Sequence, residues 1–186
     1  MSKFPSLKNQ LLIAMPALQD ADFSRSVTLI CEHNEEGAMG IVINHPLELS
    51  TIELLEHMEI PCSHSRNINS VMAGGPVQTD RGFVIHRAEK LWKSSIHLDQ
   101  DVAITTSSDI LHAMGREEVS NDAFVALGYA GWGPGQLEQE ILNNSWINIP
   151  LKAEILFETD IDARWRKAAK TLGFDIDQLS YFSGNA

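Results

Sequence analysis

The sequence predicts an α+β domain with a mainly antiparallel or mixed β-sheet and about four helices packed against it. Three observations carry this. Strand-length apolar runs outnumber helical patterns, the helical patterns come singly, and several connections are too short for the crossovers that parallel strands need. No linker, internal repeat or low-complexity tract interrupts the 186 residues. The chain therefore reads as one domain over 1–186, long enough to bury a substantial core.

Residues 1–10 read as a loose or strand-preceding arm, and Leu11–Met15 as a short buried strand stopped by Pro16, which has no N–H for the ladder. Val27–His33 and Ala38–Asn44 form a hairpin through Asn34-Glu35-Glu36-Gly37, where glycine supplies positive φ. Strict alternation along the first of these strands places Val27, Leu29, Cys31 and His33 on one face. His45-Pro46 ends the second. Ser50-Thr51-Ile52-Glu53 is a capping box for a helix to about Glu59, and Pro61 stops it. The stretch 60–70 is a polar surface connection.

Asn69–Ala73 and Gly82–Arg87 are further strands, with a short one near Ile96 in an otherwise ambiguous 88–100. Val102–Thr106 is a strand, after which Ser107 or Ser108 caps a helix to about Met114 that ends at Gly115. Beyond the third helix, to about Asn143, Trp146–Ile149 and Ala153–Phe157 read as strands. The best helix begins at Asp160 or Asp162 and runs through Leu172, with Gly173 as its left-handed stop. Its apolar stripe is Ile161, Trp165, Ala168, Ala169 and Leu172. Arg164, Arg166, Lys167 and Lys170 form the opposite, basic arc. The last residues, 174–186, carry no strong pattern and are expected to be loosely ordered.

One stretch organises the chain. From Phe124 an apolar strand runs into four glycines within eight positions, Gly128, Gly131, Gly133 and Gly135, and a helix starts at Pro134. Strand, glycine turn and helix N-terminus are the ingredients of an anion cradle. The spacing fits neither G-x-G-x-x-G nor G-x-x-x-x-G-K-[ST], however, and no lysine follows. Glu138 in the first helical turn, with Glu140 just beyond, sets carboxylates where a phosphate would rest. The stretch reads as a structural corner.

The run Gly128-Tyr129-Ala130-Gly131-Trp132-Gly133-Pro134-Gly135-Gln136-Leu137-Glu138 closely resembles the signature of the AlgH/YqgE-like family of bacterial proteins. Four more blocks agree in family order: residues 23–27 (FSRSV), 32–40 (EHNEEGAMG), 74–77 (GGPV) and 105–111 (TTSSDIL). The likeness extends from about Leu11 to Gly173. It implies a strongly bent sheet with helices alongside. It implies no established biochemical activity, although some members are described as regulators of exopolysaccharide gene expression.

The charge balance narrows the function classes. With 14 basic and 25 acidic residues the formal charge is −11, which opposes direct binding to nucleic acid or anionic membrane, since both draw affinity from Lys and Arg. The expected partner is an unidentified protein or small molecule, and any effect on gene expression is indirect. Two cysteines make no disulfide scaffold, no signal-peptide pattern opens the chain, and no apolar run reaches membrane-spanning length. A cytoplasmic location is expected. Oligomeric state is not legible, no cofactor motif is present, and no cofactor is expected.

The polar residues of the family-like blocks supply the candidate binding surface: Arg25, Ser26, His33, Asn34, His86, Asp109, Tyr129, Gln136 and Glu138. Competing chemistries can be framed on some of the same groups. Cys31-x-His33 and Cys62-x-His64 are ligand-like pairs for zinc, but a structural zinc site shows tighter spacing, so no metal site is assigned. A small hydrolase would use Ser26, Ser107 or Ser108 with His33 or His86 as base, yet no G-x-S-x-G elbow is present. Glu138 with Asp109 could share acid–base work, and the four tryptophans could line one pocket; surface carboxylates and core rings are the plainer alternatives.

Overall fold

The structure, a computed structural model, describes residues 4–63 and 69–182. Its strands are β1 (Gln10–Ala14), β2 (Val27–Asn34), β3 (Gly37–Val42), β4 (Pro46–Ser50), β5 (Ser70–Ala73), β6 (Val77–Arg87), β7 (Ser95–His97), β8 (Val102–Thr105), β9 (Phe124–Trp132) and β10 (Trp146–Pro150). Its helices are α1 (Thr51–His57), α2 (Asp109–Gly115), α3 (Gln136–Leu142), α4 (Ala153–Phe157), α5 (Arg164–Lys170) and α6 (Ile176–Phe182).

All ten strands join one sheet in the order β10-β1-β2-β3-β9-β6-β8-β7, with β5 on β9 and β4 on β5. Every pairing is antiparallel except β5 on β9, so the sheet is mixed, as expected. The bend lies in β9. Its first half pairs with β6 and, in parallel, with β5 (Met72 opposite Ala126). Its second half pairs with β3 (Ala130 opposite Gly40). At Gly128, whose φ of +77° turns the strand, the β5 pairing has ended and the β6 register breaks, and there Gly74 and Gly75 press directly against the β9 backbone. A Cβ on Gly75 would lie 2.1 Å from the Tyr129 carbonyl carbon, so this crossing admits glycine alone.

Both faces of the sheet are covered, because alternate residues of each strand feed different layers. Leu11, Ile13, Leu29, Ile41, Phe83 and Ile104 point to one face, closed by Ile155, Leu156, Trp165, Ala168 and Ile176 of α4, α5 and α6. On the other face Leu12, Ile30, Trp132 and Trp146 pack under Leu137 of α3. Farther along that face, Val71, Val84 and Val125 pack under Leu55 of α1 and Ile110 and Met114 of α2.

The Ser50 capping box forms as expected. Several expectations change. The segment 153–157 is helix, not strand: five residues are too few to show a period, and Ala-Glu-Ile-Leu suits a helix once Pro150 has ended β10. A strand, β4, follows His45, because proline is tolerated as the first residue of a strand. The helix after the glycines starts at Gln136, with Gly135 at φ +73° before it, and not at Pro134. Ser108 precedes α2 but makes no side-chain cap bond. Residues 174–182 include α6, tied to α5 by Arg166 and Asp177 at 2.6 Å. Leu172 is 40% exposed and leaves the apolar stripe.

The largest correction concerns Arg164, which belongs to no basic arc. It is 6% exposed, lies over the Phe124 ring at 5.0 Å, and donates to the carbonyls of Ile43, Leu156 and Thr159. Burial pulls its pKa down to about 10, which still leaves it charged at neutral pH.

Candidate functional site

The clearest site among the described residues grows from the end of β2. A bulge between Ile30 and Glu32 shifts the register against β3 by one residue. Cys31 therefore stays with the α4–α6 face, while His33, opposite Ala38, turns to the face that α3 covers. Cys31 and His33 thus lie on opposite faces and not on one, because a one-residue slip reverses alternation.

The displaced His33 is 7% exposed and both its ring nitrogens are engaged. The Leu7 amide donates to Nδ1 at 2.8 Å, so the ring proton sits on Nε2, which donates to Glu138 Oε1 at 2.9 Å. The N-terminal arm that supplies Leu7 is anchored, not loose: Ser6 donates to the His33 carbonyl at 3.0 Å and Leu7 is buried. Burial would raise the Glu138 carboxyl, but its own backbone amide and the His33 ring outweigh that and hold it below the usual range. A cleft of about 670 Å³ opens at the pair, lined also by Phe4, Pro5 and Ser6 of the arm and by Asn34, Glu35 and Glu36 of the β2–β3 turn. Among the described residues no lysine or arginine lines it.

The rest of α3 holds Glu138 in place. Glu140 Oε2 accepts from both indoles, Trp132 Nε1 and Trp146 Nε1, each at 2.9 Å, and Oε1 accepts from Gln136 at 3.0 Å. The Gly133 amide that an anion would use is taken by Gln136 Oε1 at 2.9 Å. Gln136 is thus a clamp on the glycine turn.

Of the nine predicted binding residues, the cleft gathers His33, Asn34 and Glu138, with Gln136 two residues along α3. Asn34 Oδ1 accepts from the Glu36 amide at 2.8 Å and shapes the hairpin turn. The other five do not converge on it. Ser26 is fully buried, and Arg25, at φ +55°, places its guanidinium over Trp165 at 5.5 Å. Tyr129 packs edge-on against Phe83. Asp109 accepts from Ser107 Oγ at 2.5 Å and from the Lys93 amide at 3.0 Å, which fastens the 92–95 loop to α2.

His86 ends a directed chain of hydrogen bonds. Its Nδ1–H donates to the Arg87 carbonyl, so Nε2 must accept from Thr105 Oγ1 at 2.7 Å. Thr105 Oγ1 then accepts from Ser95 Oγ at 2.6 Å, and Ser95 Oγ from the Trp92 amide at 2.7 Å. Burial lowers the His86 pKa, consistent with a neutral, structural ring.

The competing chemistries lose their geometry here. His33 and His86 bond to none of Ser26, Ser107 or Ser108, and both nitrogens of each ring are occupied. Asp109 and Glu138 sit on helices that cover different parts of the sheet, and the tryptophans divide among the Glu140 clamp, the core and the His86 edge. Among the described residues no three His, Cys, Asp or Glu side chains gather to hold a metal, and His64 lies outside them. The Cys31 thiol is pushed up to about 12 by burial first and by Glu32 second, so it stays protonated. Native protein should therefore react with a thiol reagent at Cys62 alone, titrating one equivalent before denaturation and two after. Two fast equivalents in the folded state would contradict the burial of Cys31.

Sequence reasoning missed Phe4, Pro5, Glu35 and Glu36 as cleft walls. The two glutamates stood inside a recognised block and could have been found; the arm carried no pattern.

Fold and site together define a small α+β protein with a bent mixed sheet, an acidic cleft and no assembled nucleophile–base pair at that cleft among the described residues. The AlgH-like family model matches residues 11–177, and the chain belongs to the AlgH-like family. A UPF0301 protein of Thioalkalivibrio sulfidiphilus is 52% identical over the whole of both chains, and one from Shewanella loihica is 49% identical over 97% of this chain and 99% of its own. The solution structure of the AlgH protein from Pseudomonas aeruginosa superposes with a TM-score of 0.77 at 39% identity, covering 100% of this chain and 97% of the other. A Corynebacterium diphtheriae protein of 22% identity shares the fold at a TM-score of 0.72, over 95% and 92% of the two chains. No helix among the described residues is long and apolar enough to cross a membrane.

Proposed function

We propose that this protein is a cytoplasmic binding protein that works through the His33–Glu138 cleft and influences gene expression indirectly, through a protein or small-molecule partner. One observation carries the reading. A carboxylate fixed by a buried histidine lines a 670 Å³ cleft whose other ionisable walls, among the described residues, are Glu35 and Glu36. Such a cleft selects a cationic or donor-rich group, an ammonium or guanidinium, with Phe4 offering an aromatic face beside it. The same acidity disfavours nucleic acid, so regulation passes through the partner.

The test is affinity capture from native lysate with wild type, Glu138→Gln and Glu36→Gln, which keep side-chain shape while removing charge. Capture of the specific partner is expected to fall about tenfold with Glu138→Gln. Arg25→Ala, remote from the cleft, should capture as wild type does. Undiminished capture by Glu138→Gln overturns the reading.

A further inference from the structure

A second cavity, independent of the acidic cleft, lies where α1 and α2 fail to close over the sheet. It measures about 440 Å³, within the usual range for small-molecule sites. Leu54 of α1, Met58 just past its end, Leu111 of α2, and Val84, Val125 and Leu127 of β6 and β9 line it. Met58 stands 46% exposed at its edge. Above Gly82 the groove is open. A Cβ built there meets only the tip of Leu127, at 3.9 Å, and the backbone is one that any residue adopts.

The polar groups at its margin say what would fill it. Thr105, Thr106 and Ser108 border one end. The Thr105 hydroxyl is committed to His86 and Ser95, whereas those of Thr106 and Ser108 hold no partner among the described residues. Each can both donate to and accept from a ligand. Among the described residues no lysine or arginine lines the groove, and the Asp80 carboxylate in its lining, which has no partner among them, repels an anion.

We propose that this groove binds an apolar small molecule with an uncharged hydrogen-bonding head, its chain over Gly82 and its head against Thr106 and Ser108. Apolar burial supplies the affinity, and charge decides which head enters.

The test uses the full chain and the neutral fluorophore N-phenylnaphthylamine. Saturable enhancement is expected, displaced by n-decanol and at least about tenfold less well by n-decanoate, which differs in its charged head. Gly82→Leu should fill the groove and weaken fluorophore binding at least about tenfold while keeping the native circular dichroism. Should that variant not fold, methyl NMR of the wild type replaces it, with shifts expected at Leu54, Leu111, Val125 and Leu127. The proposal is overturned by an absence of saturable binding, by undiminished binding to folded Gly82→Leu, by shifts confined to other methyls, or by equal displacement with decanoate. Fluorescence that falls as the protein dimerises in sedimentation would give the groove to a second copy and equally overturn it.

Discussion

Gly128→Ala is expected to destabilise the protein by about 4 kcal/mol, from a strained backbone at positive φ and a forced overlap in a packed crossing. The added Cβ would sit 2.4 Å from the Gly75 carbonyl oxygen, a backbone atom that cannot step aside without moving the strand crossing. At a few degrees per kcal/mol for a domain of this size, the melting temperature should fall by roughly 10 °C. The neighbouring glycines make an internal scale. Gly135 has positive φ but nothing within 4 Å, so alanine there should cost only the backbone strain, about 1 kcal/mol. Gly131 has ordinary φ and meets only side-chain atoms of Tyr129 and Val77, the nearer at 3.8 Å, so Gly131→Ala should fall within about 0.5 kcal/mol of wild type. Equal losses at all three positions would contradict the crossing as the reason for the glycines.

Arg164→Met should be nearly as damaging, at about 3–4 kcal/mol. Methionine approximates the aliphatic stem but leaves three carbonyls, those of Ile43, Leu156 and Thr159, without their donor. Each buried acceptor left unpaired costs about 1–3 kcal/mol, partly offset because a buried cation no longer has to be desolvated. Arg164→Lys should restore little, because one ammonium cannot reproduce the planar fork that reaches all three. Arg166→Met, two residues away on the solvent side, should leave the denaturation midpoint close to wild type, since its Asp177 partner is a surface pair. Denaturant titration of the three variants decides the matter; Arg164→Met matching Arg166→Met would return Arg164 to the surface.

Much of the fold is legible in local sequence chemistry. The β2–β3 turn, the Ser50 capping box and the left-handed Gly173 stop are written in neighbouring residues, so each can be read without knowing the rest. Arg164 could not be read this way. Helical periodicity puts it beside Arg166 and Lys167, and only the carbonyls of Ile43, just past β3, and of Leu156 in α4 explain why it turns inward. The segment 153–157 misleads for a related reason: a short run ending in Ile-Leu-Phe looks like a buried strand until packing makes Ile155 and Leu156 face the same core.

The cleft shows the same boundary. His33 and Glu138 are visible as members of separate blocks, but their pairing across 105 residues depends on the bulge after Ile30, and no residue in β2 announces a bulge. The arm that completes His33 has no pattern of its own, being held by contacts to β2 and not by any local preference. Conversely, Asp109 and Gln136 are conspicuous in the sequence yet serve as clamps on loops, the short-range work that polar residues at helix starts often do.

The most direct measurement of the central claim is photocrosslinking from inside the cleft in living cells, with benzoylphenylalanine in place of Phe4, an aromatic-for-aromatic exchange on the cleft wall. The account predicts one discrete crosslinked species that disappears when Glu138→Gln is added. The same photoreactive residue in place of Leu142, 68% exposed at the far end of α3, should yield no such species. A crosslink pattern from position 4 that is identical with and without the Glu138 carboxylate would contradict the assignment of the His33–Glu138 cleft as the working surface.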